Sequence, residues 1–370
     1  MRSAVLDEVS ALLVDVCRQT GTPPRPSPGA EAELVEAARF HRVAPLVHVA
    51  YRDAAPDVAA LVHLDRIRAI TGHLQACAVL QQLGEVLGDT PWVTFKGAVF
   101  SEHAHPVPGI RSYNDVDVLV DPSSLREVSR LLRAAGWRVA DYQDMLRNRS
   151  VPGEMHWVSP SGVLLDLHWS MVNMASRRRL FDVPTADLLQ RRVRVELGAE
   201  SVWTLCPTDA LVHACLHAAL SGANKLVHLL DVDRLSRSIA DWDAVVARSR
   251  EWGAQAQVAI VLERTHRVLG TPVPPDFAVR AAVPRSVRRL GAVADRVAPV
   301  ARGRTNAGFG KFVARAARTS GTATAGAVRR NASRGLLDRA APRPERGERL
   351  AADQASLEVY LDAVESVTAS

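Results

Sequence analysis

The stretch Arg111-Ser-Tyr-Asn-Asp115-Val-Asp117-Val-Leu-Val120 places two aspartates at the head of a short apolar run. The run is rich in β-branched residues and is stopped by Asp121-Pro122, which predicts a strand. Side chains alternate along a strand, so Asp115 and Asp117 should project from one face. Carboxylates this close repel each other unless a cation lies between them, which predicts a site for a hard ion such as Mg²⁺. The alternative is that one aspartate caps the next helix and the other is a solvated strand residue.

A third aspartate stands in the middle of a second apolar strand, Val163-Leu-Leu-Asp-Leu-His-Trp169, which follows a turn at Ser159-Pro-Ser-Gly162. Leu164, Asp166 and His168 share one face of this strand by alternation. An unpaired carboxylate in such a place is costly unless a cation or hydrogen-bond donors compensate it. An arginine could be that partner, but the nearby Asp-x-Asp pair favours a metal site made of three carboxylates.

The residues before the Asp-x-Asp strand suit the binding of phosphate. Trp92-Val-Thr-Phe-Lys96 predicts a short strand, and Gly97 begins a turn into a helix. Gly97 would let the backbone approach an anion at the helix N-terminus, where free amide groups already favour negative charge. Lys96 and Arg111 could balance the charge of a triphosphate.

The 370 residues are enough for two or three domains, and their pattern changes along the chain. We expect an α+β fold, in which a small mixed-sheet core over 91–200 is flanked by a helical region over 1–90 and a helical domain over 201–300. A basic, loosely ordered segment and a terminal helix would occupy 301–370. In the first region, apolar spacing predicts the buried face of one long helix: Ile67, Ile70, Leu74, Cys77, Leu80, Leu83 and Leu87.

The net charge of +6 is unevenly distributed. Between Arg285 and Arg349 there are 16 Lys and Arg residues against 4 Asp and Glu residues. Such a segment could contact nucleic acid or an acidic partner, although a solvated basic face is the favoured interpretation. No apolar run is long enough to cross a bilayer, the first residues lack a signal peptide's apolar core, and the four cysteines form no Cys-x-x-Cys pair. We therefore expect a cytoplasmic protein without a membrane partner.

Two further polar features lie in the region that follows Cys206. His213 and His217 are one helical turn apart, a spacing that can bind zinc, but no further ligand stands at a suitable distance in the sequence. Core histidines are the favoured interpretation. Asp231 is expected to have a structural role and to pair with His217 or Arg234.

In their order and spacing these motifs resemble the DNA polymerase β-like nucleotidyltransferase superfamily, and more closely a bacterial family of uncharacterised nucleotidyltransferases. The resemblance extends over about residues 35–240 and includes Phe40-His-Arg-Val-Ala-Pro-Leu46. The matching motifs are Lys96-Gly97-Ala98, Arg111, Asp115-Val-Asp117-Val-Leu-Val120, Asp166-Leu-His-Trp169 and Leu216-His217-Ala218. Ala98 replaces a serine whose hydroxyl holds a phosphate in many members, and Asn114 replaces the usual serine before the first aspartate. The backbone amide at Ala98 and the amide side chain of Asn114 could still donate to phosphate.

The resemblance implies transfer of a nucleoside monophosphate from a nucleoside triphosphate such as ATP to an acceptor, with Mg²⁺ or Mn²⁺ as cofactor. The implied catalytic and metal-binding residues are Asp115, Asp117 and Asp166. A hydroxyl or amine of a peptide or small molecule is the first expectation for the acceptor. The alternatives are a toxin-like enzyme that modifies tRNA, a kinase-like phosphotransferase, and a catalytically silent nucleotide-binding module.

Overall fold

The structure is a computed structural model that describes residues 2–19, 21–141, 145–297, 315–327, 329, 350–351 and 354–369. The helices are α1 (Arg2–Arg18), α2 (Glu31–Phe40), α3 (Ala44–Tyr51), α4 (Pro56–Ala60), α5 (His63–Leu87), α6 (Gly97–His103), α7 (Leu125–Ala134), α8 (Ala175–Arg178), α9 (Thr185–Gln190), α10 (Pro207–Ser221), α11 (Leu226–Arg237), α12 (Trp242–Glu251), α13 (Gln255–Leu269), α14 (Phe277–Arg280), α15 (Arg285–Val297) and α16 (Gln354–Thr368). The strands are β1 (Trp92–Phe95), β2 (Asp115–Val120), β3 (Arg138–Asp141), β4 (Glu154–Val158), β5 (Leu164–His168), β6 (Val193–Leu197), β7 (Glu200–Thr204) and β8 (Leu350–Ala351).

The strands of the described residues form one mixed sheet in the order β6-β7-β1-β2-β5-β4-β3-β8. The Asp-x-Asp strand β2 lies inside this sheet, antiparallel to β1 and parallel to β5. Its register with β5 sets Asp117 directly beside Asp166. Because side chains alternate, Asp115 and His168 lie on the same face as this pair. Asp115 comes two residues before Asp117 on β2, and His168 comes two residues after Asp166 on β5.

The two faces of the sheet are buried against different helices. Val116, Val118 and Val120 of β2 pack into a core that includes buried residues of α5, α7 and α16. Leu119 points the other way, into a second core that joins the N-terminal helices α1 to α4 with α10, α11 and α13. Asp115 and Asp117 alternate with the three valines, so their face is the one covered by the helices of the second core.

The structure confirms most of the elements expected around the aspartates. Helices alternate with turns from α1 to α5, the β4–β5 hairpin forms, and Asp121 accepts a hydrogen bond from the Ser123 backbone N–H, 2.9 Å away, in the short turn before α7. The mixed sheet with helical regions before and after it is likewise confirmed. The proposed domain limits stay a prediction, and most of the basic segment lies outside the described residues. No helix within the described ranges is both long and apolar enough to cross a membrane.

One expectation about local structure was wrong in part, and one element was not predicted. On α5, Leu80, Leu83 and Leu87 are buried as expected, but Ile67 and Leu74 are 44% and 64% exposed. His73 turns inward instead, and its ring nitrogens lie 2.8 Å from the Tyr113 hydroxyl and 2.8 Å from Glu102 Oε2. The hairpin of β6 and β7 was not expected at all, yet it extends the sheet beyond β1.

Candidate active site

Three ligand atoms from Asp117, Asp166 and His168 lie within 4.8 Å of one another, close enough to hold a metal ion. The adjacent strands β2 and β5 supply all three, and the register described above creates the cluster. The structure thus brings together two of the three expected carboxylates. Asp115 lies on the same face but outside this group, so its role as a metal ligand stays a prediction. His168 was not expected as a ligand, although its alternation with Asp166 was visible in the sequence.

Asp117 is the most buried of the three aspartates, with 4% of its surface exposed. Its Oδ1 atom lies 2.6 Å from Lys96 Nζ and 3.2 Å from His168 Nε2. Burial alone would raise the pKa of this carboxyl, but the charge of Lys96 and the hydrogen bond from His168 outweigh it and lower the pKa to about 2. Lys96 is therefore the counter-ion of Asp117.

A strained turn places Lys96 there. Lys96 has a φ of 61°, a conformation that residues with a side chain rarely adopt, and it connects β1 directly to α6. Gly97 follows with a φ of 20°, and a Cβ atom at that position would lie 3.3 Å from the ring of Tyr113. Ala98 is buried in the first turn of the helix. Strained backbone of this kind persists where the surrounding structure holds it, commonly at functional sites.

Asp166 has no comparable partner. Its Oδ1 atom is buried without a hydrogen bond among the described residues, and His156 Nε2 lies 3.4 Å from it. Burial, followed by repulsion from Asp117, raises the pKa of Asp166 to about 7. The same two causes raise the pKa of Asp115. An arginine partner for Asp166 does not occur among the described residues, so its compensation must come from a proton or from a bound cation.

A carboxylate lies close to the other ring nitrogen of His168, although it forms no hydrogen bond with that nitrogen. Glu154 lies opposite it on β4, with Oε2 3.4 Å from His168 Nδ1, and Asn173 Nδ2 donates to Glu154 Oε1. Burial would lower the pKa of His168, but its contacts with Asp117 and Glu154 raise it. A carboxylate on the second ring nitrogen is typical of histidines that bind metals, because it fixes the orientation of the ring.

Arg111 is placed differently from the expectation. Its Nε atom lies 2.8 Å from Asp231 Oδ1, and its Nη2 atom lies 2.8 Å from Asp231 Oδ2. His105 Nε2 lies 3.1 Å from the same Oδ1 atom. The prediction that Asp231 pairs with His217 or Arg234 was therefore wrong. The reason is long-range packing, since α11 lies against the loop that precedes β2. This buried ion pair lowers the pKa of Asp231 against the effect of burial.

Three histidines of α10 and α11 form a row beside the cluster. The ring centroids of His213 and His217 are 6.0 Å apart, and those of His217 and His228 are 5.1 Å apart. Burial, aided by nearby cations, lowers the pKa of His213 and His228 to about 3 and that of His217 well below its ordinary value. These imidazoles are therefore neutral at physiological pH. Within the described residues they do not form a group of three ligands close enough for zinc.

The raised pKa of Asp166 predicts how stability depends on pH. Between about pH 4 and pH 7 the folded protein keeps a proton on Asp166 that the unfolded chain has lost, so this group's contribution to stability falls as pH rises. In the presence of EDTA, Asp166→Asn should therefore have a higher Tm than the wild type at pH 8 and an equal Tm at pH 4. Thermal unfolding followed by circular dichroism measures both.

Asp182→Asn, which replaces an exposed carboxylate, is the matched control and should leave the pH profile unchanged. An Asp166→Asn variant less stable than the wild type at pH 8 would show that the ionised carboxylate is compensated within the protein, contrary to this prediction.

Comparisons with known proteins identify the family of the chain. Residues 28–270, more than half of the chain, match the family described as Uncharacterised nucleotidyltransferase. A crystal structure of an antigenic nucleotidyltransferase-like protein from Paracoccidioides brasiliensis is similar at 12% sequence identity, with a TM-score of 0.36, over 56% of this chain and 95% of that chain. No curated protein matches the chain. The matched range contains every residue of the cluster, and the chain belongs to the family of uncharacterised nucleotidyltransferases.

Proposed function

We propose that the protein is a metal-dependent nucleotidyltransferase, which moves a nucleoside monophosphate from a nucleoside triphosphate to a hydroxyl or amine of a peptide or small-molecule acceptor. The observation that carries this proposal is the cluster of Asp117, Asp166 and His168, with Lys96 against Asp117. Membership in the family supports the class of reaction. In this proposal the sheet around β2 and β5 serves as a polymerase β-like core.

The cluster fits a divalent cation. It offers one ionised carboxylate, a second carboxylate with an unpartnered buried oxygen, and an imidazole close to Glu154. We propose Asp115 as a further ligand, because it lies on the same strand face two residues before Asp117. A divalent ion bound there would stabilise the negative charge on the transferred phosphate. Carboxylates suit Mg²⁺ and Mn²⁺, whereas imidazole is a better ligand for transition metals, so both ions belong in the tests.

Asp166 is suited to accept the proton of the attacking group. Its Oδ1 atom is buried without a hydrogen bond among the described residues, and a cation bound in the cluster would keep the carboxylate ionised, as a general base requires. As the acceptor hydroxyl or amine gives its proton to Asp166, its oxygen or nitrogen forms a bond to the α-phosphorus. The bond from that phosphorus to the bridging oxygen breaks, and pyrophosphate leaves.

The triphosphate is proposed to approach from the side of Asn114. This exposed residue directly precedes β2 and lines a cleft of about 270 Å³ together with Arg39, Arg42 and Arg68. Arg39 is paired with Asp65, which also lines the cleft, whereas Arg42 has a strained φ of 58° and its charge acts on Asp115. The guanidinium groups of Arg42 and Arg68 would balance the charge of phosphates.

Lys96 and the backbone at Gly97 and Ala98 complete the proposed donor site. The ammonium of Lys96 is close enough to Asp117 to neutralise a phosphate held at the same place. Arg111 adds positive charge at a distance, since its Nε and Nη2 atoms both bind Asp231.

The proposal predicts that one nucleoside triphosphate raises the Tm only in the presence of Mg²⁺ or Mn²⁺. A ligand that binds only the folded state at about 100 times its Kd adds about 2.7 kcal/mol to stability. Thermal unfolding with each of the four nucleoside triphosphates, with and without the metal, measures the effect and identifies the donor. The absence of a metal-dependent shift with all four would contradict the proposal.

Labelled nucleotides separate nucleotidyl transfer from the kinase-like alternative. With the donor labelled at the α-phosphate, nucleotidyl transfer moves the label to the acceptor and releases unlabelled pyrophosphate. A kinase-like reaction would move only a γ-phosphate label. A metal-dependent Tm shift without any transfer to peptide, small-molecule or tRNA acceptors would favour the silent nucleotide-binding module.

A further inference from the structure

A second groove, of about 830 Å³, opens at the other end of the metal cluster. We call it the arginine groove and define it by Asn148, Arg149, Asn173, Arg178, Arg179 and Val367. Three of these residues carry a guanidinium group. No aspartate or glutamate of the described residues lines the groove, so its described lining carries an excess of positive charge.

Arg178 illustrates this excess of positive charge. Its Nη2 atom donates to the Val151 carbonyl at 2.6 Å, its Nη1 atom donates to the carbonyls of Val172 and Asn173, and its guanidinium lies 4.6 Å from the ring of Trp169. All these partners are uncharged. Burial lowers the pKa of Arg178 accordingly.

The surroundings of the groove add further positive charge. Arg177 is its neighbour on α8, and Arg315 of the late basic segment lies close enough to Arg177 to feel its charge. Burial, and then repulsion from Arg177, lowers the pKa of Arg315 to about 10. Clustered cations without acidic partners destabilise a folded protein by mutual repulsion, and an anionic ligand relieves this cost.

The wall of the groove is held in a strained conformation. Val151 has a φ of 44°, which is rare for a β-branched residue, and Arg178 binds its carbonyl. Gly153 packs so closely that a Cβ atom there would lie 3.0 Å from the Val172 carbonyl oxygen. The wall is thus fixed before any ligand arrives, as expected for a binding site rather than for a loop that is merely exposed.

The groove is connected to the metal cluster through Asn173. This residue lines the groove and donates to Glu154, which in turn contacts His168. The strands β2 and β5 are parallel, Asn114 precedes β2, and Asn173 follows β5. The cleft at Asn114 and the arginine groove therefore lie at opposite ends of these strands, with Asp117 and Asp166 between them.

We propose that the arginine groove binds a phosphate group of the acceptor, so that the acceptor is a phosphorylated molecule. Its role as the acceptor site rests on the proposed function, whereas anion binding by the groove does not. Guanidinium forks bind both carboxylates and phosphates, but several cations in one groove match the two charges of a phosphate monoester or the repeated charges of a nucleic acid. The source of the phosphate is then a small phosphomonoester or the phosphodiester chain of an RNA.

The test uses the full chain in EDTA, where metal-dependent nucleotide binding does not contribute. Phosphoserine, a single-stranded RNA of ten nucleotides, and acetate are titrated by isothermal calorimetry. The key variant is Arg149→Ala/Arg179→Ala, because both side chains are exposed and the change leaves in place Arg178, which holds the wall of the groove. We expect this double variant to bind phosphoserine or the RNA at least tenfold more weakly than the wild type. For the RNA, the slope of log affinity against log salt should fall by about 1.4, or about 0.7 for each lost phosphate contact.

Arg133→Ala/Arg138→Ala is the matched control, since it also removes two exposed arginines and leaves the groove intact. It should bind like the wild type. If Arg149→Ala/Arg179→Ala weakens the binding of phosphoserine alone, the ligand is a small phosphomonoester. If it weakens the binding of the RNA, the ligand is a nucleic acid. Equal binding by the two double variants, or equally strong binding of acetate, would overturn the proposal. If the groove binds these anions but the protein transfers no nucleotide, the groove is still an anion-binding site, and only its assignment as the acceptor site is wrong.

Discussion

Asp117→Asn is expected to abolish the metal-dependent rise in Tm with nucleotide and to destabilise the metal-free protein. The metal cluster loses its ionised carboxylate, so binding should fail. Stability should fall by roughly 2 kcal/mol at neutral pH, which corresponds to the lowering of the pKa from 3.8 to about 2. The buried ammonium of Lys96 is then left without its nearest anion. Urea unfolding in EDTA measures the stability, and thermal unfolding with nucleotide and metal measures the binding.

Asp115→Asn is the matched comparison, because it makes the same change two residues earlier on the same strand face. Because the pKa of Asp115 is raised, this substitution should change stability in the opposite direction and make the metal-free protein more stable at neutral pH. If Asp115 is a metal ligand, nucleotide binding is also lost in this variant. Equal effects of the two substitutions on stability would contradict the difference in electrostatic environment described above.

Asp231→Ala is expected to cause the largest loss of stability, about 3–5 kcal/mol, because it leaves a buried guanidinium without its counter-charge. Asp231 is the carboxylate that both Arg111 and His105 contact, and all three side chains are buried. The midpoint of urea unfolding should fall accordingly. Arg130→Ala, which removes an exposed ion pair with Glu127, should leave the midpoint unchanged.

The double variant Arg111→Met/Asp231→Met tests the physical reason for this loss. Removal of both charges avoids an unpaired buried cation, so the double variant should be more stable than Asp231→Ala. A double variant as unstable as the single one would show that the shape of the pair matters rather than its charge.

Local patterns in the sequence predicted much of the site. Alternation around Asp115 and Asp117 was sufficient to predict the strand and the shared face of the two carboxylates. The same rule placed Asp166 and His168 on one face. His168 was not predicted as a ligand, because only oxygen ligands were expected around a hard cation. The alternating Val193, Val195 and Leu197 before Gly198 also indicated a hairpin that was overlooked.

Other features depend on contacts between distant parts of the chain. The partner of Asp231 is more than a hundred residues away, at Arg111, and periodicity carries no information about such a contact. On α5, the polar His73 is buried through its contacts with Tyr113 and Glu102, which simple apolar spacing does not predict. The strain at Lys96 likewise became visible only in the backbone angles.

The parallel pairing of β2 with β5 has a consequence for folding. β2 ends at Val120 and β5 begins at Leu164, so the cluster forms only when a long intervening segment has closed. Such closure is slow and entropically costly compared with a local hairpin. A nascent chain that ends before β5 contains Asp115 and Asp117 but neither Asp166 nor His168. A ligand of the completed cluster therefore recognises only chains whose central strands have paired, and it stabilises the whole sheet rather than one loop.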